Sequence, residues 1–458
     1  MSTYQSVNPA TNEVIKTWPA HNADYVESAL EKAWQLYQSD WSKGDIQPRL
    51  QVLHKLADLI DSRVDELAKA ASLEMGKLLK QSRGEVQLCA RIARYYAENA
   101  ERFLQPVPYP DVSGEAWVEY HPLGVLVAVE PWNFPYYQLM RVLAPNLAAG
   151  NPVLAKHAAI VPHCASLFEA LVREAGAPEG AWTNLFISSD KVAELIADDR
   201  VQGAALTGSE RAGSAVAQQA GKYLKKSTLE LGGNDVFVVL DDCDLEEAVS
   251  QGVQARLSNA GQVCTAAKRF IVQRSVAERF LTKFTDAFKA MKLGDPLDES
   301  TTLGPLSSSS ARDTLAEQVK DAIKHGATLH YGGETVSGPG CFYQPTILTG
   351  ITRDNPAYFA EFFGPVAQIY VVDSDDDVVR LANDSHYGLG GAIFTGDTER
   401  GKRLASRIET GMVFINSASD TAPELPFGGI KRSGYGRELS DLGIKEFVNQ
   451  KLVVISGQ

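Results

Sequence analysis

The cysteine at position 264 sits in Asn259-Ala-Gly-Gln-Val-Cys264, and a carboxylate, Glu230, opens the upstream run Glu230-Leu-Gly-Gly-Asn234. A thiol among small and amide-bearing residues, together with a carboxylate beside a Gly-Gly step, has the make-up of a nucleophile and its base. Either half alone has a plainer reading. A lone cysteine is commonly a small buried hydrophobe, and Gly-Gly beside a carboxylate is commonly a turn. The two together, with the runs described below, favour chemistry.

Other polar residues fall where strands should end. Asn133 lies between Trp132 and Phe134 in Glu130-Pro-Trp-Asn-Phe-Pro135. Its amide could donate to an oxyanion or cap the following helix. Thr207-Gly208-Ser209 leads into Glu210-Arg-Ala-Gly213. A glycine turn at a helix N-terminus can hold a pyrophosphate, and it can equally be a plain strand-to-helix turn. Glu361, in Ala360-Glu-Phe-Phe-Gly-Pro365, suits either a ribose hydroxyl or a surface position.

The elements that must carry these residues are legible in outline. Val26, Ala29, Leu30, Ala33 and Leu36 share one helical face, and Leu53, Leu56, Ile60, Val64 and Leu67 predict one helix from Pro48 to Met75, stopped by Gly76. From Gly124 onward short apolar runs alternate with helical segments. Val125 to Val129, Pro152 to Ala155, Gly203 to Leu206 and Val236 to Leu240 suit buried parallel strands. Helices from Val161 to Ala175 and from Ala212 to Leu224 complete βαβ units. A second set follows Cys264, with strands at Arg269 to Val272 and Val366 to Val372 and a helix from Ala277 to Met291. The expected fold class is α/β with two Rossmann-like parallel-sheet halves. The final run, Phe447 to Ile455, reads as an exposed strand in want of a partner.

The 458 residues carry 44% apolar and 22% charged side chains and a net charge of −13. That balance argues against nucleic acid or an anionic membrane as partner. Five scattered cysteines form no disulfide framework or zinc pair, the eight histidines show no metal-ligand spacing, and no apolar stretch is long enough to span a membrane. A reducing cytoplasm is the expected setting.

Pro131-Trp-Asn-Phe-Pro135, Glu230-Leu-Gly-Gly233, Gly261-Gln-Val-Cys264 and Glu361-Phe-Phe-Gly-Pro365, taken in order, resemble the motifs of the aldehyde dehydrogenase superfamily. The likeness runs from Asn8-Pro-Ala-Thr-Asn12 to Pro426-Phe-Gly-Gly-Ile-Lys-Arg-Ser-Gly434. It implies Cys264 as nucleophile, Glu230 as general base, and Asn133 with the Cys264 amide as oxyanion hole. It implies NAD or NADP as cofactor. Lys156 and His157 would sit at the adenosine ribose, Gly208 and Ser209 at the pyrophosphate, and Glu361 and Phe363 at the nicotinamide, with Trp132 and Leu231 beside them. It implies a cofactor domain of residues 1–105 and 123–234 with part of 433–445, a catalytic domain of 235–432, and an oligomerisation arm of 106–122 and 446–458. The assembly expected is a homodimer or a dimer of dimers.

Two departures refine this resemblance. Relatives often carry a glutamate, which binds the ribose 2′-hydroxyl, where this chain has Ala159, so use of both nucleotides is expected. Arg141 stands eight residues after Asn133, where many relatives are aromatic and those acting on succinate semialdehyde carry arginine. A guanidinium there would hold a substrate carboxylate, unless it is a surface arginine on an amphipathic helix. Phe134 and Phe427 are candidate walls of the tunnel. The expected reaction is oxidation of succinate semialdehyde through a cysteine thioester. The alternatives are another short or ω-carboxylated aldehyde, such as glutarate semialdehyde, or a cofactor-free cysteine esterase.

Overall fold

The computed structural model describes residues 4–456, so residues 1–3 and 457–458 of the expected terminal segments lie outside it. Three sheets organise the chain. The first has six strands in the order Gly434–Tyr435, Lys226–Glu230, Val201–Thr207, Val125–Glu130, Val153–His157, Trp182–Asn184. All its pairings are parallel except that of Gly434–Tyr435. The second has seven strands, with Val236–Val239, Arg269–Gln273 and Val366–Val372 parallel near its centre. In the third, the last strand Val448–Ser456 pairs antiparallel with Gly114–Pro122, which also pairs with Val107–Pro108. The terminal strand thus finds one partner within its own chain, while its other edge is open and Leu452, Val454 and Ile455 are exposed.

Two local expectations change. The long helix is two, Gln47–Ser62 and Val64–Met75, because Arg63 (φ −123°, ψ 24°) leaves helical geometry. Ile60 and Leu67 are both buried and stand seven residues apart, so the apolar rhythm runs across the break and hides it. The first hundred residues also include a hairpin, Tyr4–Asn8 with Glu13–Trp18, whose turn holds Asn12 at φ 60°. Its second strand is almost wholly exposed and shows no alternation. The stop at Gly76 is a left-handed cap, φ 83°.

Leu53, Leu56, Val86, Ile92 and Phe168 belong to the largest apolar cluster, which backs the six-stranded sheet. Burying side chains of this size contributes about 1.5–3 kcal/mol each. Among the described residues no helix is long and apolar enough to cross a membrane, and no group of three or more His, Cys, Asp or Glu could hold a metal ion.

Candidate active site

The two large sheets meet the site in opposite senses. The six-stranded sheet brings the carboxyl ends of its strands, which carry Glu130, Thr207 and Glu230. The seven-stranded sheet brings loops that feed the amino ends of its strands. Cys264 precedes Arg269–Gln273, and Glu361 precedes Val366–Val372.

The loop that carries Cys264 is tightly bent. Asn259 (φ 51°), Ala260 (φ 52°) and Gly261 (φ 76°) are consecutive left-handed residues. Two non-glycine residues in that region store strain of the order of 1–3 kcal/mol each. The neighbours hold them there. Asn259 Nδ2 donates to the carbonyls of Asn133 (3.0 Å) and Gln262 (3.2 Å), and Asn133 Nδ2 donates to Gln262 O at 3.1 Å. An amide nitrogen has two N–H groups, so Asn133 keeps one free beside the thiol. At Gly261 a Cβ would lie 2.2 Å from Gly364 O, so only glycine fits.

A cavity of about 300 Å³ brings together Trp132, Asn133, Gly208, Ser209, Glu230, Leu231, Cys264, Glu361 and Phe363. A second, of about 230 Å³, adjoins Cys264 on its other side and is bordered by Phe134, Tyr137, Gln138, Arg141 and Phe427. Ala159 borders a third, with Trp132 and Phe363. A roomier cavity, about 890 Å³, lies away from this chemistry, and its Arg353–Asp384 and Arg380–Asp377 groups are paired with one another.

Electrostatics separate the roles. Burial pushes the Cys264 thiol up to about 11, with Lys268 and Arg141 pulling it down. Burial and then repulsion from Glu438 hold Glu230 well above the usual carboxyl range, against Arg141. Glu230 Oε2 has no hydrogen-bond partner. Glu130 is displaced the same way for the same reasons, and neither of its oxygens has a partner, as suits a neutral acid.

Arg141 is not a surface arginine. The helix Tyr137–Ala149 is buried on every face, and Arg141 is 1% exposed. Asn133 precedes this helix rather than sharing a face of it with Arg141. The guanidinium lies against Phe427 and Tyr137, pairs through Nε with Glu438, and donates to Tyr137 Oη and Thr207 Oγ1, each at 3.1 Å. Of its five N–H groups two stay uncommitted.

His157 is corrected. It is fully buried, its ring nitrogens face the carbonyls of Glu130 (3.2 Å) and Pro135 (2.9 Å), and burial lowers it to about 4. Adjacent strand residues point to opposite faces, so Lys156 and His157 cannot serve one ligand. Lys156 borders none of the three cavities, and its ammonium lies 5.8 Å from the Tyr4 ring centre. Sequence reasoning missed Lys268 and Glu438, charged residues with no motif around them.

The site fits a nicotinamide dinucleotide. Gly208 and the Ser209 cap open the helix Glu210–Lys222, and a Cβ at Gly208 would meet only the Leu206 side chain. Glu361 Oε1 accepts from Gly233 N at 3.1 Å, and Trp132 and Phe363 meet edge to face at 5.9 Å.

Comparison with known proteins bears on the whole chain. A profile of the aldehyde dehydrogenase family matches residues 1–453. Succinate-semialdehyde dehydrogenase [NADP(+)] of Deinococcus radiodurans is 49% identical over 450 residues, 98% of this chain and 94% of that one. Probable succinate-semialdehyde dehydrogenase [NADP(+)] of Synechocystis is 45% identical over 98% of this chain and 99% of its own. The crystal structure of succinic semialdehyde dehydrogenase from Streptococcus pyogenes in complex with NADP+ superposes with a TM-score of 0.98 at 50% identity, covering 99% of this chain and 100% of that one.

Proposed function

The chain belongs to the aldehyde dehydrogenase family, and from that premise we propose that it oxidises succinate semialdehyde to succinate with NADP or NAD. The observation that carries the substrate is Arg141, a buried cation with uncommitted N–H groups on the cavity that adjoins Cys264 away from Glu361. A guanidinium so placed is a natural partner for the far carboxylate of an ω-carboxylated aldehyde. The curated relatives at 45–49% identity bear that substrate in their names.

The residues divide the work. The Cys264 thiolate adds to the aldehyde carbon, and the C=O electron pair moves onto oxygen. Asn133 Nδ2 and the Cys264 amide stabilise that oxyanion. Bound between Trp132, Phe363 and Glu361, the nicotinamide would supply the acceptor for the hydride leaving the thiohemiacetal carbon. Glu230 then takes a proton from water as its oxygen adds to the thioester carbon, and the C–S bond breaks to return the Cys264 thiolate. Ser209 and Gly208 would hold the pyrophosphate at the helix N-terminus, and Leu231 would pack beside them.

Residues 1–105 and 123–234 with part of 433–445 would form the cofactor domain, and 235–432 the catalytic domain, supported by the separate sheets. The arm of 106–122 and 446–458 would join two copies, giving a homodimer or a dimer of dimers. The open apolar edge of Val448–Ser456 supports this. A cytoplasmic setting would keep Cys264 reduced.

The test is nucleotide reduction with succinate semialdehyde, glutarate semialdehyde and propanal, each with NAD and NADP. The expected result is a strong preference for a carboxylated aldehyde. Equal rates with propanal would remove the carboxylate pocket, and ester hydrolysis without nucleotide reduction would overturn the dehydrogenase reading.

A further inference from the structure

Lys268 is fully buried four residues beyond the thiol. Its ammonium donates to Val263 O at 3.0 Å and to Cys264 O, and it lies 3.2 Å from Glu361 Oε1. Two of its N–H groups are thus spent on the loop carbonyls, and its charge faces the carboxylate. A cation removed from water needs such partners to remain charged. Here they come from two segments with different tasks, the loop that carries the thiol and the segment that carries Glu361.

The surroundings leave these segments no slack. A Cβ on Gly233 would lie 2.7 Å from Cys264 O, one on Gly232 would lie 2.3 Å from Glu361 Oε2, and one on Gly261 would lie 2.2 Å from Gly364 O. Three backbone segments therefore touch around one buried charge. The charged groups around it are Asp235 just before Val236–Val239, Arg256 on the helix Leu245–Leu257, Arg269 at the start of Arg269–Gln273, and Arg141 across the site. Arg256 donates to Gly261 O, and Arg269 to the carbonyls of Asn234, Leu381 and Ala382. Neither is bonded to the Cys264 carbonyl or to Glu361. Of these cations Lys268 is the one in contact with both.

We propose that Lys268 is a positioning residue that ties the nucleophile loop to the nicotinamide side of the site, fixing the Cys264 carbonyl and holding Glu361 ready for a ribose. Its charge also favours the thiolate over the thiol. Among the groups acting on Cys264 it is the largest that opposes burial. Loss of the charge therefore raises the pH at which the thiol reacts, and loss of the tether weakens nucleotide binding. The proposal rests on Cys264 as nucleophile and Glu361 as ribose ligand, and it is independent of which aldehyde is oxidised.

The experiment follows the rate of Cys264 alkylation by iodoacetamide against pH, located by mass spectrometry, with KM for NADP measured alongside. It compares the full-length protein with Lys268→Met and Lys268→Arg, and Cys264→Ala serves as the blank. Lys268→Met should move the alkylation profile up by about one pH unit, slow alkylation roughly tenfold near pH 8, and raise KM for NADP about fivefold or more. Lys268→Arg should restore the profile. A folded Lys268→Met with the wild-type profile and KM overturns the proposal, as does equal damage in Met and Arg, which would mean lost fit rather than lost charge. Should Lys268→Met fail to fold, Glu361→Gln carries the test. Removing the carboxylate leaves the ammonium less neutralised, so the profile should fall, and an unmoved profile overturns the proposal. A blank alkylated as fast as wild type would strike at the nucleophile assignment instead.

Discussion

Two cavities meet at Cys264, and they are built by different means. The one that includes Glu361 is lined by short runs of neighbouring residues: Pro131 to Asn133, Thr207 to Ser209, Glu230 to Gly232, and Glu361 with Phe363. Its two carboxylates are Glu230 and Glu361, and Glu361 is tied to Lys268. The one that includes Arg141 is lined by residues scattered along the chain, from Leu88 through Phe134, Tyr137 and Arg141 to Thr421 and Phe427. A lining drawn from contiguous runs leaves motifs in the sequence, and a scattered lining does not. The first cavity is therefore the more legible of the two.

The largest predicted effect tests whether Glu230 acts only after the hydride has left. Glu230→Gln should lower steady-state kcat by about 10²- to 10³-fold, within the usual range for general-base catalysis. The first turnover of nucleotide reduction should survive as a burst. The pH dependence follows from the direction of the shift. Burial and Glu438 raise the Glu230 carboxyl, so it is held protonated to higher pH than a free carboxyl and becomes a base only as pH rises. Wild-type deacylation should climb with pH, and Glu230→Gln should lose that limb. Collapse of the burst together with the steady state would place Glu230 before the thioester and sink the division of labour.

The same contrast explains what was legible in the sequence. Cys264, Glu230 and Asn133 each sit among glycines, prolines or amides because tight backbone is needed around them, and those neighbours are readable. No motif marks Lys268 or Glu438 as special; they matter because the fold carries Glu361 to Lys268 and Arg141 to Glu438. His157 shows the converse error. Its residue type suggested a ligand, but the pleat turns it into the interior beneath Pro135. Six parallel strands, among them Val125–Glu130 and Val236–Val239, were legible as apolar runs between turn residues. Trp182–Asn184, Thr346–Thr349, Gly391–Phe394 and Phe414–Ile415 were not, because two to four residues make no run. Nor was Lys226–Glu230, because its first two residues are polar and incompletely buried and only its end is core.

The second cavity is probed by Arg141→Met, which keeps bulk and removes charge. Losing two charge-assisted hydrogen bonds to a substrate carboxylate should lower kcat/KM for succinate semialdehyde by roughly 10- to 100-fold. Propanal should lose clearly less, since it offers nothing for the guanidinium to bind and shares only the loss of a charge that favours the Cys264 thiolate. KM for the nucleotide should be unchanged, because the other cavity is untouched. Equal losses on both aldehydes would mean that Arg141, committed to Glu438, Tyr137 and Thr207, serves only to hold the helix Tyr137–Ala149 in place.

The smallest effect is expected at Ala159, on the cavity that shares Trp132 and Phe363 with the first. Ala159 offers no carboxylate, so the wild type should use NAD and NADP with kcat/KM values within about 100-fold, or roughly 2.7 kcal/mol. Ala159→Glu would add an acceptor for a ribose 2′-hydroxyl and a charge that repels a 2′-phosphate. KM for NADP should rise about tenfold while KM for NAD stays level or falls. Because the substitution sits at an open cavity beside Trp132 and Phe363, stability should be unaffected. A rise in both KM values would mean that the new side chain obstructs the cavity rather than reading the ribose. No change in either would put the adenosine ribose elsewhere, and nucleotide choice would then pass to residues away from position 159.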